Sequence, residues 1–171
     1  LVAAISKSSV PRQDMILDEI LQAFQGRLDV PMPASWSTTY DFLLSADSKA
    51  IRDKADRIAI IFGDQRLLPR MRAKLMEPAA TEADRRQALE VILRGRDPEA
   101  AIAIIATLDY PALQSEAIRA LANYTEDSIP SELLSRYPNW DSEAQRDAIG
   151  TLTSRPQFAM RLMQAVDQKR V

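Results

Sequence analysis

A chain of 171 residues, 46% hydrophobic and 27% charged, with a net charge of −2, has the balance of a folded globular protein and lacks the basic excess of a general nucleic-acid binder. It contains neither Cys nor His, which removes thiol nucleophiles, disulfides, Ser-His-Asp triads, most zinc sites and covalent c-type haem attachment. No apolar run approaches the roughly 20 residues of a membrane span.

Few glycines and no long β-branched alternation argue against a barrel or sandwich, and a 3.6-residue period divides the chain into short helices. The opening Leu1-Val2-Ala3-Ala4-Ile5 has no initiator Met and none of the parts of a signal peptide, so the chain is expected to be a segment excised from something longer. Pro11 opens the first clear helix, whose stripe is Leu17, Ile20, Leu21, Phe24 and Leu28, with Gly26 weakening its last turn. Val30-Pro31-Met32-Pro33 is an extended linker, because proline fixes its own φ and restricts its predecessor. A second helix carries Trp36, Tyr40, Leu43 and Leu44. Asp47 is the expected N-cap of a third, with Ile51, Ala55, Ile58, Ala59 and Phe62 buried and Gly63 following as a left-handed cap. Leu67 to Met76 forms a fourth, bounded by Pro69 and Pro78.

From Thr81 the pattern is regular. Thr81-Glu82-Ala83-Asp84 resembles a capping box ahead of Leu89, Ile92 and Leu93, and Gly95 is expected to end that helix. Asp97-Pro98 starts a nearly all-apolar helix from Glu99 to Leu108, expected to be buried on all sides. Asp109-Tyr110-Pro111, Ser128-Ile129-Pro130, the box Ser142-Glu143-Ala144-Gln145, and Ser154-Arg155-Pro156 each begin a further helix. The last should bury Phe158, Leu162, Met163 and Val166.

Ala88-Leu89, Ala117-Ile118 and Ala148-Ile149 stand 29 and 31 residues apart, and Ala55 lies 33 residues before Ala88. A helix pair at that period is the signature of an α-solenoid, since two short helices cannot cover their own apolar faces and must stack on further pairs. The expected fold is therefore all-α: an α-α superhelix, a HEAT/armadillo-like solenoid, of about four to five helix pairs. It occupies residues 1–171 as one domain, less regular over 1–45 and regular over 46–171. An orthogonal helical bundle is the competing architecture.

The polar residues offer little chemistry. Gly63 and Gly95 stand alone after helices and form no phosphate loop. The carboxylate pairs Asp18 with Glu19, Glu126 with Asp127 and Asp141 with Glu143 fall on caps, turns or polar faces. No catalytic, cofactor-binding or metal-ligating residue stands out. The denser feature is basic: Arg66, Arg70 and Lys74 share one helix face at i, i+4 and i+8, near Arg72. Such a ridge either grips an acidic group or is a solvated face opposite Leu67, Leu68, Met71 and Leu75. Tyr110, Tyr137 and Trp140 sit beside prolines or turns, without the interleaved basic residues of a base-stacking platform.

Four stretches carry a resemblance: Val30-Pro31-Met32-Pro33-Ala34-Ser35-Trp36, Ile61-Phe62-Gly63-Asp64-Gln65-Arg66-Leu67-Leu68-Pro69, Leu133-Leu134-Ser135-Arg136-Tyr137-Pro138, and Arg146 to Pro156. They resemble the HEAT-like helical-repeat segment of large exported bacterial proteins. Those proteins join a sugar-dehydrogenase-like β-propeller, that segment and a C-terminal cytochrome c-type haem-binding module. The resemblance implies an exported or periplasmic, non-catalytic scaffold holding a redox propeller near a haem module. Its partners would be neighbouring domains or another protein, with no nucleic acid. No haem ligand or catalytic residue of that family maps onto this chain, so no cofactor is expected in the segment. The alternative is a HEAT-like enzyme or nucleic-acid-binding module of the DNA glycosylase or bilin lyase kind. A glycosylase needs a positive concave face and aromatic side chains around an acidic residue, and the net charge of −2 and the dispersed tryptophans speak against it.

Overall fold

A computed structural model describes residues 2–27 and 30–169. Leu28, expected in the apolar stripe of the first clear helix, and the opening Leu1 lie outside the described residues. Among the described residues every regular element is a helix, and no helix is long and apolar enough to cross a membrane. The chain divides into two compact units, Leu1–Leu67 and Leu68–Val171.

The first unit holds α1 (Val2–Ile5), α2 (Val10–Ala23), α3 (Trp36–Leu44), α4 (Lys49–Ile61) and a 3-10 turn, Gln65–Leu67. Pro11 stands in the first turn of α2, where its missing N–H costs nothing. Ile16, Leu17 and Ile20 are buried, and α2 packs on α4, as does α3. Trp36 stacks on Tyr40 at 5.3 Å between ring centroids and meets Phe62 edge-on at 5.1 Å. The N-cap of α4 is Ser48 rather than Asp47: its Oγ accepts from the Ile51 N–H at 3.4 Å, while the Asp47 carbonyl accepts from Arg52. Gly63 takes the expected left-handed conformation, φ 63°.

The second unit holds α5 (Leu68–Met76), α6 (Glu82–Gly95), α7 (Ala101–Ile105), α8 (Pro111–Ala120), α9 (Ser128–Arg136), α10 (Ser142–Thr153) and α11 (Pro156–Asp167). These helices form two rows. In one, α6 packs on α8 and α8 on α10; in the other, α5 packs on α7, α7 on α9 and α9 on α11. Rungs between the rows come from α5 with α6, α7 with α8 and α10 with α11. Ala88, Ala117 and Ala148 are fully buried in the first row. Side chains also staple that row to backbone: Thr151 Oγ1 donates to the Ile118 carbonyl at 2.8 Å, Arg155 Nη2 to the Ala122 carbonyl at 3.1 Å, and Arg86 Nη2 to the Ala112 carbonyl at 3.0 Å.

Four expectations in this unit are corrected. Gly95 is not the left-handed cap of α6; Arg96 is, at φ 50° and ψ 47°. Gly95 is helical, and a Cβ there would lie 2.8 Å from Leu68 Cδ2, so its lack of a side chain serves the approach of α5 to α6. The helix after Asp97 is short and not apolar on all sides: Ala101, Ala103 and Ile104 are buried but Ile102 is 71% exposed. The α11 stripe is Phe158, Leu162 and Ala165, leaving Met163 and Val166 exposed with Met160. Positions 158, 162 and 165 follow i, i+4 and i+7, and Met163 and Val166 stand one residue, about 100°, off that line. The N-cap of α10 is likewise Asp141, whose Oδ1 accepts from Glu143 N and Ala144 N, rather than Ser142.

Candidate functional site

Of the basic residues singled out by spacing, Arg66 and Lys74 are engaged with acids. Arg66, in the first unit, donates through Nε to Asp64 Oδ1 at 3.0 Å, reaches Asp41 at 3.3 Å and covers the Tyr40 ring at 5.4 Å. Asp64 also accepts from Trp36 Nε1 at 3.0 Å. Burial pushes the Asp64 carboxyl up, but the hydrogen bonds and charge of Arg66 outweigh it and hold the group below its ordinary value. In the second unit, Lys74 pairs with Asp84 at 3.1 Å, and Arg70 is half-buried one turn earlier on α5. Arg72 grips buried Asp97, its Nη1 lying 2.7 and 2.6 Å from the two carboxylate oxygens, and its Nη2 reaches Glu99 at 2.8 Å. This locks α5 onto the turn before α7.

In the second unit a cleft of about 770 Å³ is formed by the end of α6, the turn 96–98, α8 and the segment 123–126. That size suits a small ligand. Tyr124 lines it. Its residue is 7% exposed, its hydroxyl makes no hydrogen bond within the described residues, and it is not among the side-chain polar atoms sealed from solvent. Burial, with the charges of Asp97 and Glu126, pushes the phenol above its ordinary value of 10.0. At neutral pH it is therefore a neutral hydroxyl that offers a hydrogen bond rather than a base.

Most charges of the cleft are internally matched. Asp97 belongs to Arg72, Arg119 pairs with Asp147 at 2.7 Å, and Glu116 faces Arg86 at 3.9 Å. Two are not. Arg96 is exposed and has no ion pair or side-chain hydrogen bond among the described residues. Glu126 is half-buried, and among the described residues its carboxylate accepts only from the Thr125 N–H, at 3.0 Å. Sequence reasoning missed this site because its members come from three separate elements, and Tyr124 gives no periodic signal. Among the described residues, no group of three or more His, Cys, Asp or Glu side chains is placed to hold a metal ion.

No protein family, curated protein or solved structure matches the chain.

Proposed function

We propose that this chain is a non-catalytic helical-repeat scaffold, a HEAT/armadillo-like α-α superhelix of four to five helix pairs, that holds neighbouring domains of one polypeptide or a protein partner. The observation that carries the reading is the two-row packing of α5 to α11 with fully buried alanines at 88, 117 and 148. Small side chains at the recurring position let successive helices of a row approach closely, as repeated stacking of helix pairs requires. The resemblance to exported propeller and haem-binding proteins extends the reading: the segment would space a redox propeller from a haem module, with the haem ligated outside this chain.

Native-state hydrogen exchange of the full chain tests the architecture. A linear stack opens from its end, so α11 and α10 amides exchange at lower denaturant than those of α6 and α8. A single common opening across α5 to α11 would replace the stack with a closed bundle. A gel shift at low salt tests the role: tight DNA binding there would favour the glycosylase-like reading instead.

A further inference from the structure

We propose that the cleft between α6, α8 and the 123–126 segment binds a small zwitterion, a free amino acid or a short unblocked peptide, between Arg96 and Glu126. Once Arg72 is matched with Asp97, Arg119 with Asp147 and Arg86 with Glu116, the lining retains the Arg96 guanidinium, the Glu126 carboxylate and the hydroxyls of Tyr124 and Thr125 without a side-chain partner among the described residues. Thr125 is exposed, whereas Tyr124 is more than nine-tenths buried with its hydroxyl open to the cleft. Hydrated when the cleft is empty, that hydroxyl can exchange water for a hydrogen bond with a ligand.

The charges define the ligand class. A simple anion would be attracted to Arg96 but repelled by Glu126 and the neighbouring acids. A simple cation would meet the reverse. A molecule with an ammonium and a carboxylate satisfies both ends, with charge-assisted hydrogen bonds at each and the Tyr124 hydroxyl free to donate or accept. Chemistry is not implied: nothing in the cleft is an activated nucleophile, so the site retains and releases its occupant. This goes beyond the scaffold reading and stands whether or not the helices form an open stack.

The test is an NMR titration of the full chain, isotope-labelled, with L-alanine, the dipeptide Ala-Ala, N-acetyl-Ala-Ala and Ala-Ala amide. The proposal expects saturable shifts at Arg96, Tyr124, Thr125 and Glu126 with L-alanine, Ala-Ala or both, which identifies the source as free amino acid or peptide. Each blocked dipeptide should bind at least about tenfold more weakly than Ala-Ala, or show no binding where only L-alanine binds. Tyr124→Phe, which removes only the oxygen, should weaken binding about fivefold while leaving the fold intact. Arg96→Ala should remove the discrimination between the zwitterion and its amide, and Glu126→Gln that between the zwitterion and its acetylated form. No saturable shift at about 20 mM overturns the proposal. So does equal binding of N-acetyl-Ala-Ala, which would mark an anion site, or of Ala-Ala amide, which would mark a cation site.

Discussion

The guanidinium of Arg85 lies 4.2 Å from the centroid of the Tyr110 ring. The same group donates to the carbonyls of Glu77 and Pro78, just past the C-terminus of α5. Arg85 is 2% exposed and has no carboxylate partner among the described residues, so carbonyl dipoles and an aromatic face replace the counter-ion. A cation at that end also complements the α5 dipole.

Arg85→Met keeps the aliphatic stem and removes the donors. We expect a loss of about 2 kcal/mol in urea unfolding, because the charge-assisted hydrogen bonds to the Glu77 and Pro78 carbonyls are lost. Tyr110→Leu should cost about 1 kcal/mol. A double-mutant cycle should return a coupling of about 0.5 kcal/mol or more, and additive effects would show that the ring does not hold the cation.

Gly95→Ala is a substitution that helix propensity would favour by about 1 kcal/mol. Here it should destabilise by about 1 kcal/mol instead, since the new Cβ would fall 2.8 Å from Leu68 Cδ2. Combining it with Leu68→Ala should cost less than the sum of the two single changes, as read from denaturation midpoints.

Next along the chain the sign reverses. Arg96 has φ 50°, a conformation that glycine adopts without strain, so Arg96→Gly should stabilise by about 1 kcal/mol. That more stable variant is also the one that loses discrimination for the carboxylate of the zwitterion, so thermal melts and the titration should move in opposite directions.

The pH dependence follows from Asp64, Asp84 and Asp109, all held below the ordinary 3.8. For Asp64, hydrogen bonding and charge from Arg66 override burial; for Asp84 the hydrogen bond from Thr81 leads, and for Asp109 that from Arg136. A depressed native value means the unfolded chain binds protons first. Each contribution is therefore complete above the unfolded value and is lost as pH falls through the native one. Urea midpoints should hold from neutrality to about pH 5 and fall below about pH 4. Asp64→Asn should lower the neutral midpoint and flatten that acid limb; an unchanged limb would remove Asp64 from the account.

Ala117 is fully buried on α8, which packs against both α6 and α10. Ala117→Leu should cost about 3 kcal/mol by overpacking, whereas the same change at the exposed Ala112 should stay within about 0.5 kcal/mol. Thermal melts by circular dichroism distinguish the two.

Helical character and the helix stripes were legible because burial follows a 3.6-residue period. Leu17 and Ile20, Ile51, Ala55 and Ile58, and Leu89 and Ile92 are all buried. Caps were less so: Asp47 and Ser48, or Asp141 and Ser142, are adjacent residues of equal capping chemistry, and only backbone geometry decides which aims its oxygen at the helix N–H groups. At Gly95 composition pointed to a turn, but the glycine serves helix contact and the arginine beside it makes the turn. The cleft was hidden for a further reason. Arg96 and Glu126 matter only because their neighbours are already paired, and pairing between residues 25 or more apart leaves no mark on local spacing.

The sealed indole of Trp36, with Tyr40 stacked on it and its N–H given to Asp64, has a spectroscopic corollary. The chain has two tryptophans, and the other, Trp140, is half-buried in the second unit. Replacing Trp140 by Phe leaves emission that reports the first unit alone, whereas replacing Trp36 silences that unit. The pair of variants turns intrinsic fluorescence into a separate thermometer for each half of the molecule.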